Sequence, residues 1–276
     1  MMLLYLGNIL CSAGQSALSK LFAGKGGGAS AFNRSKALAA VALFLFFGLF
    51  SPLRFHLPTV LWASGYGLCL AVSMHTGFMA LSTGPMALTS ILAALSLVIP
   101  TVWGLVFWKE PLSGWGAAGL ALMLICIVLL NFRKEYGISK KWSVYALATF
   151  AANGFCSVIQ KYHQRLYPRQ YRIEFMLTAM LLVLLLLLAG ELARKRPLKG
   201  RCSGFGLAAG VMNAAANYIV LYLSAAENAS VLFPVVSVGN VVAAWLVSKL
   251  FFREKMKKIQ LLGLLLGIAA VVLLKL

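Results

Sequence analysis

The chain has 276 residues, of which 61% are hydrophobic and 11% charged, with a mean hydropathy of +0.89 and a formal net charge of +19. A soluble domain carries about 25% charged residues, so this composition excludes a water-covered globule and describes a polytopic membrane protein. The positive charge does not indicate nucleic-acid binding: Lys and Arg lie almost wholly between apolar runs, where they anchor loops, and no soluble domain is left to carry a basic face.

A crossing takes about 20 apolar residues. The chain holds ten such runs, over 2–21, 32–50, 59–81, 86–108, 112–131, 141–161, 173–192, 203–223, 229–250 and 257–275. They are too long for barrel strands and do not alternate, so each is predicted to be a helix. The opening stretch lacks a basic leader and is broken by Asn8 and Gln15, which reads as the first span rather than a signal peptide. The first span places Asn8, Ser12, Gln15 and Ser19 on one helical face. The third carries His75, and the fourth carries Ser96 and Pro100. The sixth presents a second polar stripe, Thr149, Asn153, Cys156 and Gln160. The eighth aligns Gly206, Gly210, Asn213 and Asn217, with Tyr218 and Tyr222 beside them, and the ninth carries Pro234, Ser237 and Asn240.

The chain repeats itself. A shift of 144 carries 120–130 onto 264–274, Lys109-Glu110 onto Arg253-Glu254 and Gly119 onto Gly263. A shift of 142 carries Leu81-Ser82 onto Leu223-Ser224 and His75 onto Asn217, and a shift of 141 carries Ser16 onto Ser157, Lys20 onto Lys161 and the first polar stripe onto the second. The expected architecture is all-α: ten transmembrane helices in two five-helix repeats, 1–136 and 137–276. Because five is odd, the second repeat enters the membrane from the opposite side. Inverted repeats exchange conformations, which is the geometry of alternating access around a central cavity at mid-membrane.

The segment from Leu95 to Leu130, with Pro100, Glu110, Gly116 and Gly119, resembles the fourth and fifth helices of the EamA-like unit of the drug/metabolite transporter superfamily. The segment with Pro234, Glu254 and Gly263 resembles the same unit again. The resemblance implies a central cavity lined by helices 1, 3 and 4 and by helices 6, 8 and 9, and transport of small organic metabolites. In the four-helix multidrug members, helix 1 carries a carboxylate in its middle; here Gly14-Gln15 stands in that region and the chain contains no Asp.

Polar stripes facing lipid are costly, so they face a cavity or a neighbouring helix. The candidate substrate-binding residues are Asn8, Ser12, Gln15, His75, Ser96, Asn153, Gln160, Asn213, Asn217, Tyr218 and Asn240, and the candidate kink or gating residues are Pro100 and Pro234. His75 is also the candidate for proton coupling, whereas His56 and His163 are placed in loops. All six carboxylates, Glu110, Glu135, Glu174, Glu191, Glu227 and Glu254, lie near span ends, with Glu174 the one within reach of the cavity. Lys20 and Lys161 are placed as snorkelling anchors or partners of a carboxylate. The Gly-rich run at 24–30 lacks a phosphate-loop ending, and no metal set, disulfide framework or catalytic triad is visible, so no cofactor is expected.

The expected function is secondary transport of small neutral or zwitterionic solutes, amino-acid-like among them, by alternating access in the export direction, in a bacterial cytoplasmic membrane. The partners expected are the solute, the bilayer and a proton or other coupling ion, with the protein a monomer or homodimer. A lipid-carrier flippase or membrane-embedded enzyme is the alternative. Of the 25 Lys and Arg residues, 18 fall on the links after spans 1, 5, 7 and 9, which places both termini outside.

Overall fold

The computed structural model describes residues 2–50, 52–109, 113–131, 139–193, 203–226 and 229–253, with isolated positions between 262 and 273. Helices account for nearly all of them, and no strand occurs among them. The helices are α1 (Met2–Gly24), α2 (Ala29–Gly48), α3 (Leu57–Thr83), α4 (Met86–Leu95), α5 (Val98–Phe107), α6 (Gly114–Asn131), α7 (Lys140–Leu166), α8 (Arg172–Ala193), α9 (Gly204–Ser224) and α10 (Ala229–Phe251). Among the described residues, six stretches are long and apolar enough to cross a membrane: α2, α3, the α4–α5 stretch, α7, α8 and α9. The tenth predicted span lies largely outside the described residues, as do Glu110, Glu135, Glu227 and Glu254.

The bundle exposes large apolar side chains and buries a set of polar and charged ones. Leu3, Leu61 and Leu250 are 83%, 64% and 69% exposed, while Asn33, Arg34, Ser35 and Lys36 are buried. Water would favour the reverse arrangement, and lipid favours this one.

The fourth predicted span is broken, four residues before the proline expected to bend it. α4 ends at Leu95, Ser96 and Leu97 form a turn, and α5 restarts at Val98. Pro100 has no N–H to offer the Ser96 carbonyl, which accepts instead from the Ile99 amide at 3.0 Å. In the first turn of α5 a missing N–H leaves nothing unsatisfied. In the ninth span α10 runs unbroken through Pro234, so a proline alone does not set the break.

Two features fit the internal repeat. Lys109 and Arg253, matched by the shift of 144, follow the ends of α5 and α10 with φ of 52° and 48°, the left-handed conformation that stops a helix. The helix pairings also match: α1 packs on α9 and α10, while α7 packs on α3 and on α4 and α5; α2 packs on α9, while α8 packs on α3.

Close approach of α2 and α9 depends on Gly206 and Gly210. A Cβ at Gly210 would lie 2.4 Å from the Lys36 carbonyl oxygen, and one at Gly206 would lie 2.8 Å from that of Phe32. Small residues four apart bring helix backbones together where no hydrophobic effect drives association. The largest core cluster lies between α2, α3, α8 and α9, around Phe44, Tyr66, Phe175 and Met180.

Candidate functional site

A cavity of about 240 Å³ opens between the two halves of the bundle. This is the low end of the range for organic ligands, about 300–1,000 Å³ for drug-sized ones, and suits a small solute. Its walls come from α1, α3, the α4–α5 break, α7, α9 and α10, and also from α2.

Nine of the eleven candidate binding residues line this cavity: Asn8, Ser12, Gln15, Ser96, Asn153, Gln160, Asn213, Asn217 and Asn240. α1 contributes positions 8, 12, 13, 15, 16 and 19, and α7 contributes 149, 153, 156, 157 and 160; all but position 13 are related by the shift of 141. The repeat therefore supplies two opposing walls of the same register.

His75 and Tyr218 are not among the lining residues. His75 is exposed on α3, and Tyr218 packs against Phe44 with ring centroids 6.1 Å apart. The reason is the helical face. α3 lines the cavity with 66, 70, 73, 74, 77, 78 and 81, positions that fall on one side of a helix with 74 towards its edge. The next residue is turned by about 100°, which carries His75 off the cavity face.

Other expectations are also corrected. His163 is buried within α7, not in a loop; its Nε2 lies 3.1 Å from Thr59 Oγ1, and its ring is 4.5 Å from that of Phe175. Glu174 accepts from the Arg54 backbone N–H at 2.9 Å and does not line the cavity. Lys20 and Lys161 donate to carbonyls at helix C-termini. Lys20 reaches Gly84 at the end of α3, and Lys161 reaches Ser224 at the end of α9, 3.1 Å away. The negative end of the helix dipole and its unsatisfied carbonyls favour a cation there. Pro100 is buried beside the break, outside the lining set.

Many of the polar groups are tied together by hydrogen bonds between helices. Tyr66 donates its hydroxyl to Asn217 Oδ1 at 2.9 Å and accepts from Gln160 Nε2 at 3.2 Å. Asn217 donates to the Asn213 carbonyl at 2.8 Å, and Asn213 donates to Gln15 Oε1 at 2.9 Å. Asn8 donates to the Ala216 carbonyl at 2.9 Å, and Ser73 donates to Asn153 Oδ1. Three amide oxygens in the walls, those of Asn8, Asn213 and Asn240, are buried without a hydrogen-bond partner. A buried unpaired acceptor costs about 1–3 kcal/mol, which a bound donor or water offsets.

Tyr66 was not singled out in the sequence because one Tyr inside an apolar run has no helical partner to mark it. Tyr66→Phe removes the hydroxyl and leaves Asn217 Oδ1 and a Gln160 N–H unpaired. The expected loss is about 1–3 kcal/mol per stranded group, read as a lowered unfolding temperature of detergent-purified protein. An unchanged midpoint refutes the network's contribution.

Lys36 was also missed as a cavity residue. It lies on α2, is 8% exposed and lines the cavity. The signal was present: Asn33, Arg34, Ser35 and Lys36 form a polar run inside the second apolar stretch.

A family model described as the EamA-like transporter family matches residues 140–276. No curated protein matches the sequence. One solved chain, described as "Crystal structure of protein", is 18% identical and superposes with a TM-score of 0.70, covering 98% of this chain and 94% of its own. That likeness concerns the fold alone. The apolar, membrane-length helices and the family match agree: this is an integral membrane protein whose residues 140–276 match the EamA-like transporter family.

Proposed function

We propose that the protein is a secondary transporter that moves a small neutral or zwitterionic organic solute through this cavity by alternating access, in the export direction, across a bacterial cytoplasmic membrane. The observation that carries the reading is the pair of matched polar walls, α1 and α7, facing each other across one cavity at the same repeat positions. In the ten-helix inverted-repeat arrangement these walls are exchangeable. The matched helix pairings and the two lysine contacts, on α3 and α9, support that arrangement. No acidic side chain is among the described lining residues, so a strong cation finds no counter-charge there.

Solute is held by the amide and hydroxyl groups of Asn8, Ser12, Gln15, Asn153, Gln160, Asn213, Asn217 and Asn240, with Ser96 at the α4–α5 break. That break, with Pro100 beside it, is the flexible element of the first repeat, and Pro234 marks the matching point of the second. Transport is driven by the solute gradient or by a coupling ion.

The test is counterflow in proteoliposomes with labelled amino acids, nucleosides and small amines, with and without an imposed proton gradient. At least one neutral or zwitterionic solute is expected to accumulate, and Asn213→Ala and Asn217→Ala to reduce its flux about tenfold or more, the value of one lost hydrogen bond to a bound ligand. His75→Ala is expected to leave flux unchanged. No accumulation of any solute above empty liposomes overturns the reading.

A further inference from the structure

The run Asn33-Arg34-Ser35-Lys36 distributes four polar side chains around α2, about 100° apart. Three of them have protein partners. Asn33 donates to the Met74 carbonyl at 3.1 Å. Arg34 pairs with Glu191 of α8, which also accepts from Ser30. Ser35 donates to the Ala31 carbonyl at 2.9 Å and accepts from the Ser203 amide at 2.9 Å. Lys36 has neither a hydrogen bond nor an ion pair among the described residues, is more than nine-tenths buried, and lines the cavity. Among the described lining residues it is the one that carries a formal charge.

A buried cation without a counter-charge is costly, and a membrane protein retains one where it meets a ligand or an ion. We infer that Lys36 anchors a carboxylate of the transported solute. The inference rests on reading the cavity as the transport site and narrows the solute class. One ammonium balances one negative charge. A phosphate ester, with a charge near −2, would keep a second charge uncompensated in these walls.

The rest of the lining fits the other end of such a solute. The unpaired oxygens of Asn8, Asn213 and Asn240 accept N–H or O–H donors, and none of them can serve a carboxylate. The cavity therefore matches a small amino carboxylate better than a neutral sugar or an amine. The position of Lys36 is itself built: Gly210 of α9 lies against its backbone carbonyl, which lets this turn of α2 reach the cavity.

The experiment uses purified full-length protein in detergent and reads ligand protection against thermal unfolding. The probes are L-leucine, L-threonine, L-glutamine and L-phenylalanine, each beside its carboxamide, with glycerol phosphate and uridine as further arms. At least one free acid is expected to protect at concentrations about 10–100-fold below its amide, the ratio for one charge-assisted hydrogen bond. Lys36→Gln abolishes that ratio, and Lys36→Arg keeps most of it. The wild-type ratio needs no variant, so misfolding of Lys36→Gln does not blunt the test. Equal protection by acid and amide, protection by none of the acids, stronger protection by glycerol phosphate, or an unchanged ratio in a folded Lys36→Gln protein overturns the inference. If uridine or an amide still moves in counterflow, the transporter reading stands while this one falls.

Discussion

Replacing Lys161 by Met is expected to open the cavity at the end of the bundle where α9 terminates, and replacing Lys20 by Met to open the opposite end. The two contacts sit at opposite ends of the bundle. α1 and α9 are antiparallel: Gly7 faces Ile219 and Gly14 faces Met212. The end of α9 therefore lies near the start of α1, whereas Lys20, near the other end of α1, holds Gly84. From Asn8 to Lys20 the rise is about 18 Å. Each lysine ties a cavity-lining helix to the C-terminus of its neighbour by a charge-assisted hydrogen bond, worth about 1.5–3 kcal/mol. If the protein works by alternating access as proposed, removing one such tie is expected to shift the balance of inward- and outward-open forms by about 10–100-fold.

The measurement is labelling of a single cysteine at Ser73, in a background without the native cysteines, by an impermeant maleimide from each side of oriented vesicles. Lys161→Met raises labelling from one side and Lys20→Met from the other. If both variants raise it from the same side, or neither does, the two lysines are not gates.

The second large effect is expected at Gly210. A Val there puts a Cβ 2.4 Å from the Lys36 carbonyl oxygen and 2.7 Å from Ala39 Cβ. One obstacle is backbone, so no side-chain rotation relieves it, and α2 must leave α9. Overpacking costs about 1–3 kcal/mol where side chains yield and more where they do not. Gly210→Val is therefore expected to lower the yield of monodisperse protein at least several-fold and to depress the unfolding midpoint. Gly204→Val is the control, because a Cβ at Gly204 meets nothing within 4 Å. Equal behaviour of the two variants in size-exclusion chromatography refutes the packing argument. Because α2 carries Lys36, a partly folded Gly210→Ala protein should also bind its solute more weakly.

Much of the site was legible because polar side chains in an apolar chain are conspicuous. The stripes Asn8, Ser12, Gln15 and Thr149, Asn153, Gln160 stand at helical spacing, and hydrocarbon tolerates them where they face inward. Burial inside a membrane thus converts periodicity into orientation. His75 shows where that logic stops. A sequence match that pairs His75 with Asn217 does not settle which face of α3 the histidine takes. The lining positions of α3 occupy one helical face, and His75 lies off it.

The sequence by itself determined the class, because lipid as solvent leaves its mark on composition. It also marked nine runs that are helical among the described residues, the fourth as two helices, and the polar faces of α1, α7 and α9. Tertiary structure alone decided which helices meet, and so which lone residues matter. Lys36 was one member of a polar run in the second predicted span until packing placed it in the cavity wall. Tyr66 was one aromatic among many until Asn217 and Gln160 converged on its hydroxyl. The break at Ser96 was hidden because proline's missing hydrogen bond can be absorbed anywhere in the preceding turn, and packing chooses where. Local pattern constrains the face a residue presents; only the contact across sequence separations of 60 to 200 residues says what that face meets.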